Sequence, residues 1–148
     1  MIALLQKVKS ASVEINNTTH SQINVGILLF LGIHKKDTNQ DAKYLVKKII
    51  KSRIFYNANN KMSLDIQQIK GEILVVSQFT LYGNLQKGNR PSFTDSASRS
   101  IAEPLYNYFI SLLKEYNILI ETGKFGATMK VKLINDGPVT LVINSDNG

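Results

Sequence analysis

With 148 residues, 43% of them hydrophobic and 20% charged, the chain is long enough to bury a core and too apolar to be disordered. It has no cysteine, which excludes disulfides, zinc–thiolate sites and cysteine nucleophiles and is compatible with a reducing cytosolic home. A formal net charge of +7 favours polyanionic partners, but it is permissive evidence only, because the basic residues are spread along the chain.

Met1 runs straight into Ile-Ala-Leu-Leu-Gln with no basic n-region and no small-residue cleavage site. No apolar run reaches the roughly 18 residues of a membrane span, so a cytoplasmic chain without a membrane partner is expected. Residues 2–16 alternate as a strand or strand pair, with Val13 and Ile15 on one face and Ser12 and Glu14 on the other. Asn16-Asn17 predicts a turn, since asparagine tolerates the left-handed region. Ile23–Ile33 predicts a buried strand in which Gly26 and Gly32 mark a bulge, a bend or a close backbone approach.

Thr38–Ser52 predicts the first helix. Thr38 caps it, Asp41 completes an acidic capping box, and Ala42, Leu45, Val46, Ile49 and Ile50 form its apolar stripe. Lys47, Lys48 and Lys51 lie off that stripe and read as a solvated face. Arg53–Tyr56 predicts a strand and Asn57–Asn60 a turn, while Met62–Lys70 is ambiguous. Ile73–Val76, four apolar residues of which three are β-branched, predicts a strand buried on both faces. The polar loop 84–100 follows. Ile101–Asn117 then predicts the second helix, started near Ile101 so that Pro104 falls in its first turn. Its apolar side carries Ile101, Leu105, Tyr108, Phe109, Leu112, Leu113 and Tyr116. Ile118–Glu121, Ala127–Asn135 and Val139–Asn144 predict three further strands. The sum is an α/β fold: one sheet-dominated domain over residues 1–148, a barrel-like mixed sheet of seven or eight strands with two main helices.

Two stretches carry chemistry. Directly after the buried strand, Ser77, Gln78 and Thr80 place hydroxyls and an amide on stiff backbone around Phe79, although Ser and Thr also satisfy backbone groups at fraying strand ends. Asn135-Asp136-Gly137-Pro138-Val139-Thr140 reads first as a turn between two strands, and Gly-Pro is a sequence that can also take a cis peptide.

Together, Ser77-Gln78-Phe79-Thr80-Leu81-Tyr82 and Asn135–Thr140 resemble the two signature motifs of the D-aminoacyl-tRNA deacylases. The likeness also takes in Gln6-Lys7-Val8, Ala11-Ser12-Val13, Arg53-Ile54-Phe55, Arg90-Pro91-Ser92-Phe93, Glu121-Thr122-Gly123, Phe125-Gly126-Ala127 and Met129. It implies a homodimer with that family's fold, which hydrolyses the ester between a D-amino acid, or glycine, and the terminal ribose of tRNA. It further implies that Gly137 and Pro138 of one subunit act as a chiral gate at the other subunit's pocket. Ser77, Gln78, Phe79 and Thr80 would line that pocket, with backbone N–H groups near Gln78 and Phe79 holding the scissile carbonyl oxygen, and Met129 would pack close to the terminal adenosine. Lys7 stands where the family usually has Arg, and Asn89 replaces a common Arg in the loop that offers Lys87 and Arg90 to tRNA phosphates.

An aminoacyl ester is already activated, so positioning and oxyanion stabilisation can carry its hydrolysis. Thr80 is a weak nucleophile without a base, and His20 and His34 both lie outside the two motifs. Attack by water, assisted by the tRNA 2′-hydroxyl with Thr80 as a binding or orienting group, is therefore the expected chemistry. Asp136, beside Gly-Pro, reads as holding the turn. No His, Asp or Glu spacing resembles a ligand set, so no metal and no cofactor are expected. The rival is a non-catalytic nucleic-acid-binding protein of the same fold.

Overall fold

The structure, a computed structural model, describes residues 1–147. The elements run β1 (Ile2–Ile15), β2 (Thr18–Ile23), β3 (Gly26–Gly32), α1 (Asn39–Ile50), β4 (Phe55–Tyr56), β5 (Met62–Leu64), β6 (Glu72–Ser77), α2 (Arg99–Lys114), β7 (Ile120–Thr122) and β8 (Lys130–Asn144). A six-stranded mixed sheet has the order β2-β1-β3-β6-β7, with β8 paired to β1, and it curls towards a closed barrel. The β3–β6 and β6–β7 pairs are parallel, and the pairs made by β1 are antiparallel. β4 and β5 form a separate small ribbon.

Strand alternation divides the apolar residues between two cores. Ile27, Leu29 and Leu31 of β3 join Ile73 and Val75 of β6 and Ala3 and Leu5 of β1 beneath the two helices. Their neighbours Leu28, Leu74 and Val76 face the other way and meet Val8, Ala11, Val13 and Ile23 inside the curl. The continuous apolar run in β6 exists because both of its faces are covered, as its composition predicts. In β1 the inward parity changes between Leu5 and Val13, where its pairing with β8 slips between Gln6 and Val8 and again between Val8 and Ser10. Lys7 keeps the parity of Leu5 and is buried, only 4% exposed.

Several elements differ from the pattern-based expectation. Residues 18–23 form β2, a separate strand with a largely polar exposed face, which the apolar pattern did not mark. The Asn16-Asn17 turn holds, with φ of 52° and 60°. Residues 130–144 form a single strand, so Asn135–Thr140 is an irregularity within β8 instead of a turn between two strands. β1 pairs with both halves, Val8 with Asn135 and Gln6 with Thr140, so the five-residue step on β8 faces a two-residue step on β1 and the segment 136–139 bulges out of the ladder.

α1 has the expected stripe and a complete Thr38–Asp41 capping box. α2 begins at Arg99, so Pro104 lies in its second turn. The bond lost is the one to the Ser100 carbonyl, which sits in the exposed first turn within reach of water. Ile101, assigned to the apolar side from its spacing, is 45% exposed, while Ala102, Tyr106 and Ile110 join Leu105, Phe109 and Leu113 in the core. The Tyr106 hydroxyl donates to the Val75 carbonyl at 2.9 Å and ties α2 to β6.

Candidate active site

β6 ends at Ser77, and after Gln78 the chain enters a 3₁₀ turn, Phe79–Tyr82. A cavity of about 430 Å³ opens at this point. It is lined by Ser77, Gln78 and Phe79, by Val76 with Leu31 and Ile33, and by the segment 125–129. The Ser77–Phe79 segment is anchored to the sheet: the Gln78 N–H donates to the Leu31 carbonyl at 2.8 Å. That bond commits one of the two backbone donors the resemblance implies. The Phe79 N–H has no acceptor among the described residues, as befits the opening of a helical turn. Phe79 itself is 58% exposed and meets Phe93 edge-to-face at 5.0 Å between ring centroids.

Thr80 is exposed and does not line the cavity wall. Its hydroxyl accepts a hydrogen bond from the Gln78 side-chain amide, and neither a histidine nor a carboxylate bonds to it among the described residues. Nothing there activates a nucleophile. His34 turns its Nδ1 to accept from the Lys36 N–H (3.1 Å) and leans its ring on Tyr82 (5.2 Å), while His20 lies exposed on β2. Burial, then the nearby carboxylates of Asp37, Asp146 and Asp41, hold the Tyr82 phenol well above the ordinary tyrosine range, so it stays neutral. Those three carboxylates gather closely, and the Met1 ammonium sits against Asp37 at 2.6 Å.

Met129 lines the cavity together with Ser77, Gln78 and Phe79. Lys7, Gly137 and Pro138 do not line the cavity in their own chain, and neither do Lys87 and Arg90, which lie in the exposed loop 83–95. Lys7 instead organises the irregular part of β8. Its ammonium pairs with Asp136 at 3.2 Å and lies 4.6 Å from the centre of the Tyr56 ring. The Asn135 amide donates to the Lys7 and Val139 carbonyls, both at 3.1 Å. Asp136 thus holds this segment through an ion pair, and the Gly137–Pro138 peptide between these anchors is cis.

The Lys7–Asp136 pair is unequal, since the lysine side chain is 5% exposed and the aspartate 40%. Removing the aspartate strands a buried ammonium with only a ring for company, whereas removing the lysine leaves a carboxylate that water can reach. Asp136→Ala is accordingly expected to destabilise by about 3 kcal/mol and Lys7→Met by about 1 kcal/mol or less, measured by urea unfolding. Equal losses in the two variants would contradict this account of the pair.

Ser96, Ala102, Phe125 and Thr128 also line the cavity, and sequence reasoning assigned none of them a role. Phe125-Gly126-Ala127 belonged to the likeness without a function. Ser96 and Ala102 had no signal, because Ser96 reaches the site through its loop's bridge to His34 beyond β3 and Ala102 through the packing of α2.

The family model described as D-Tyr-tRNA(Tyr) deacylase matches residues 4–144. The D-aminoacyl-tRNA deacylase of Thermosipho melanesiensis is 53% identical over 146 residues, covering 98% of this chain and 97% of that protein. A solved structure named c-Myc DNA Unwinding Element Binding Protein superposes with a TM-score of 0.92 at 41% identity, covering 97% of this chain and 98% of that one. A second, described as a probable eukaryotic D-amino acid tRNA deacylase, superposes at a TM-score of 0.84 with 15% identity over 97% and 98% of the two chains, a likeness of fold.

Proposed function

Because the chain belongs to the D-Tyr-tRNA(Tyr) deacylase family, we propose that it is a hydrolase cleaving the ester of D-aminoacyl-tRNA, and of glycine misattached to tRNA, to release free tRNA and amino acid. The observation that carries the reading is the cavity at the end of β6, where Ser77, Gln78, Phe79 and Met129 of the family likeness line one space. Water attacks the ester carbonyl with assistance from the substrate's own 2′-hydroxyl. The Phe79 N–H faces the oxygen that gains charge, and the ester bond to the ribose breaks with the proton passing to the leaving 3′-oxygen. The reaction takes place in the cytoplasm, where charged tRNA is consumed.

In this proposal the working unit is a homodimer in which Gly137 and Pro138 reach the cavity of the partner subunit and admit only one hand of the α-carbon. Two observations support it. Gly137 and Pro138 are exposed and do not line their own chain's cavity. They are flanked on β8 by exposed Ile134, Leu141 and Val142, and β8 pairs only with β1 among the described residues, leaving an edge free to be covered.

Incubation with D- and L-tyrosyl-tRNA tests the reading, with selective loss of the D-ester expected. The second reading, a nucleic-acid binder without turnover, is favoured by the likeness, at 41% identity, to the c-Myc DNA Unwinding Element Binding Protein. It predicts that both esters persist while tRNA is bound. Thr80→Ala is expected to retain kcat within about 10-fold on saturating D-ester, since an unactivated hydroxyl does not serve as nucleophile. An acyl group trapped on Thr80 would end the water mechanism.

A further inference from the structure

We propose that Arg99 holds the phosphodiester that joins the terminal nucleoside to the rest of the tRNA; the proposal rests on the deacylase reading. Arg99 opens α2, and Ala102, one turn further on, lines the cavity. The guanidinium carbon lies 6.0 Å from the centre of the Phe125 ring, and Nη1 lies 3.4 Å from where a Cβ on Gly126 would stand. Phe125 and Gly126 both belong to the cavity wall, so the charge stands at its rim.

The fork is turned by Glu103. Arg99 Nε donates to one carboxylate oxygen at 2.9 Å and Nη2 to the other at 3.5 Å, which leaves Nη1 without an acceptor among the described residues and on the Gly126 side. Gly126, at φ of 74°, has no side chain to stand between the guanidinium and the wall. Lys130 and Lys132 are engaged with Glu14, and Lys35 with Asp95, while Arg99 keeps Nη1 free among the described residues even though it pairs with Glu103.

An ester whose acyl group occupies this cavity is bonded to a ribose, and that ribose carries a 5′-phosphate at a fixed short reach. Negative charge must therefore leave the cavity close to its rim. A planar fork with free donors is the side chain suited to a phosphate oxygen there. The side chain is 70% exposed, so its replacement leaves the core intact.

The test compares two D-tyrosyl esters, one on full tRNA and one on adenosine, which has no phosphate. Arg99→Ala is expected to raise KM for the tRNA ester about 5-fold with kcat unchanged, and to lower the slope of log KM against log salt by about 0.7. KM for the adenosine ester stays the same, and Arg99→Lys restores the salt slope. An unchanged KM and slope on tRNA, or an equal rise on both esters, overturns the proposal. A parent protein that hydrolyses neither ester overturns the deacylase reading, and this proposal with it.

Discussion

Phe79→Pro is expected to lower kcat by about 10²–10³-fold on D-aminoacyl-tRNA, the equivalent of one oxyanion donor worth about 2.7–4 kcal/mol. The backbone makes this substitution unusually selective. Phe79 is the first residue of a 3₁₀ turn, a place where proline's fixed φ fits and where the N–H has no acceptor among the described residues to lose. Gln78, before it, has φ of −146° and ψ of 83°, outside the helical region that a following proline disfavours.

Proline thus deletes the donor and the ring. Phe79→Ala deletes only the ring, whose edge-to-face contact with Phe93 is worth about 1 kcal/mol. The comparison isolates the N–H: Phe79→Ala is expected to keep kcat within about 10-fold of the parent. Equal kcat for the two variants at saturating substrate would remove the Phe79 N–H from the mechanism. Gln78 cannot substitute for it while its own N–H bonds the Leu31 carbonyl.

Gly26→Ala carries the largest expected loss of stability, about 4 kcal/mol by denaturant unfolding. A Cβ at Gly26 would stand 2.7 Å from both the nitrogen and the carbonyl carbon of Glu72, and nearer still to its oxygen. These are backbone atoms of the parallel β3–β6 pair, so no side chain can swing aside to make room. The strands would have to separate at the point where Glu72 also donates its N–H to the Val25 carbonyl at 3.1 Å and its carboxylate accepts from the Asn24 N–H at 2.7 Å. Because β6 delivers Ser77 and Gln78 to the cavity, activity is expected to fall with stability. A midpoint shift of about 0.5 kcal/mol or less would show that the strands accommodate the methyl group.

Where the pattern-based reading succeeded, the determining forces act over a few residues. The Thr38–Asp41 box and the stripe from Ala42 to Ile50 specify α1 by themselves, and the β-branched run Ile73–Val76 specifies a strand covered on both faces. Asn16 and Asn17 take the left-handed φ that asparagine tolerates, in the turn that joins β1 to β2. Where it failed, a partner strand or helix decided the outcome. β2 is polar and stands by pairing with β1, and β8 pairs with β1 on either side of Asp136-Gly137-Pro138, which makes that segment a bulge where the pattern predicts a turn between strands. Ile101 has helical spacing for burial yet faces solvent, since the approach of α2 buries Ala102 and Tyr106 in its place.

Local chemistry along the chain determined the polar edge Ser77–Thr80, the first helix, the buried central strand and the family likeness, because each depends on neighbours in sequence. The three-dimensional packing decided which of those groups share a space. It set Met129 and Phe125 around one cavity with Gln78, committed one backbone donor to Leu31 and left Phe79's open, and buried Lys7 against Asp136. Long-range pairing fixes strand parity and the distance between walls, and both quantities belong to the sheet as a whole, so no window of residues contains them.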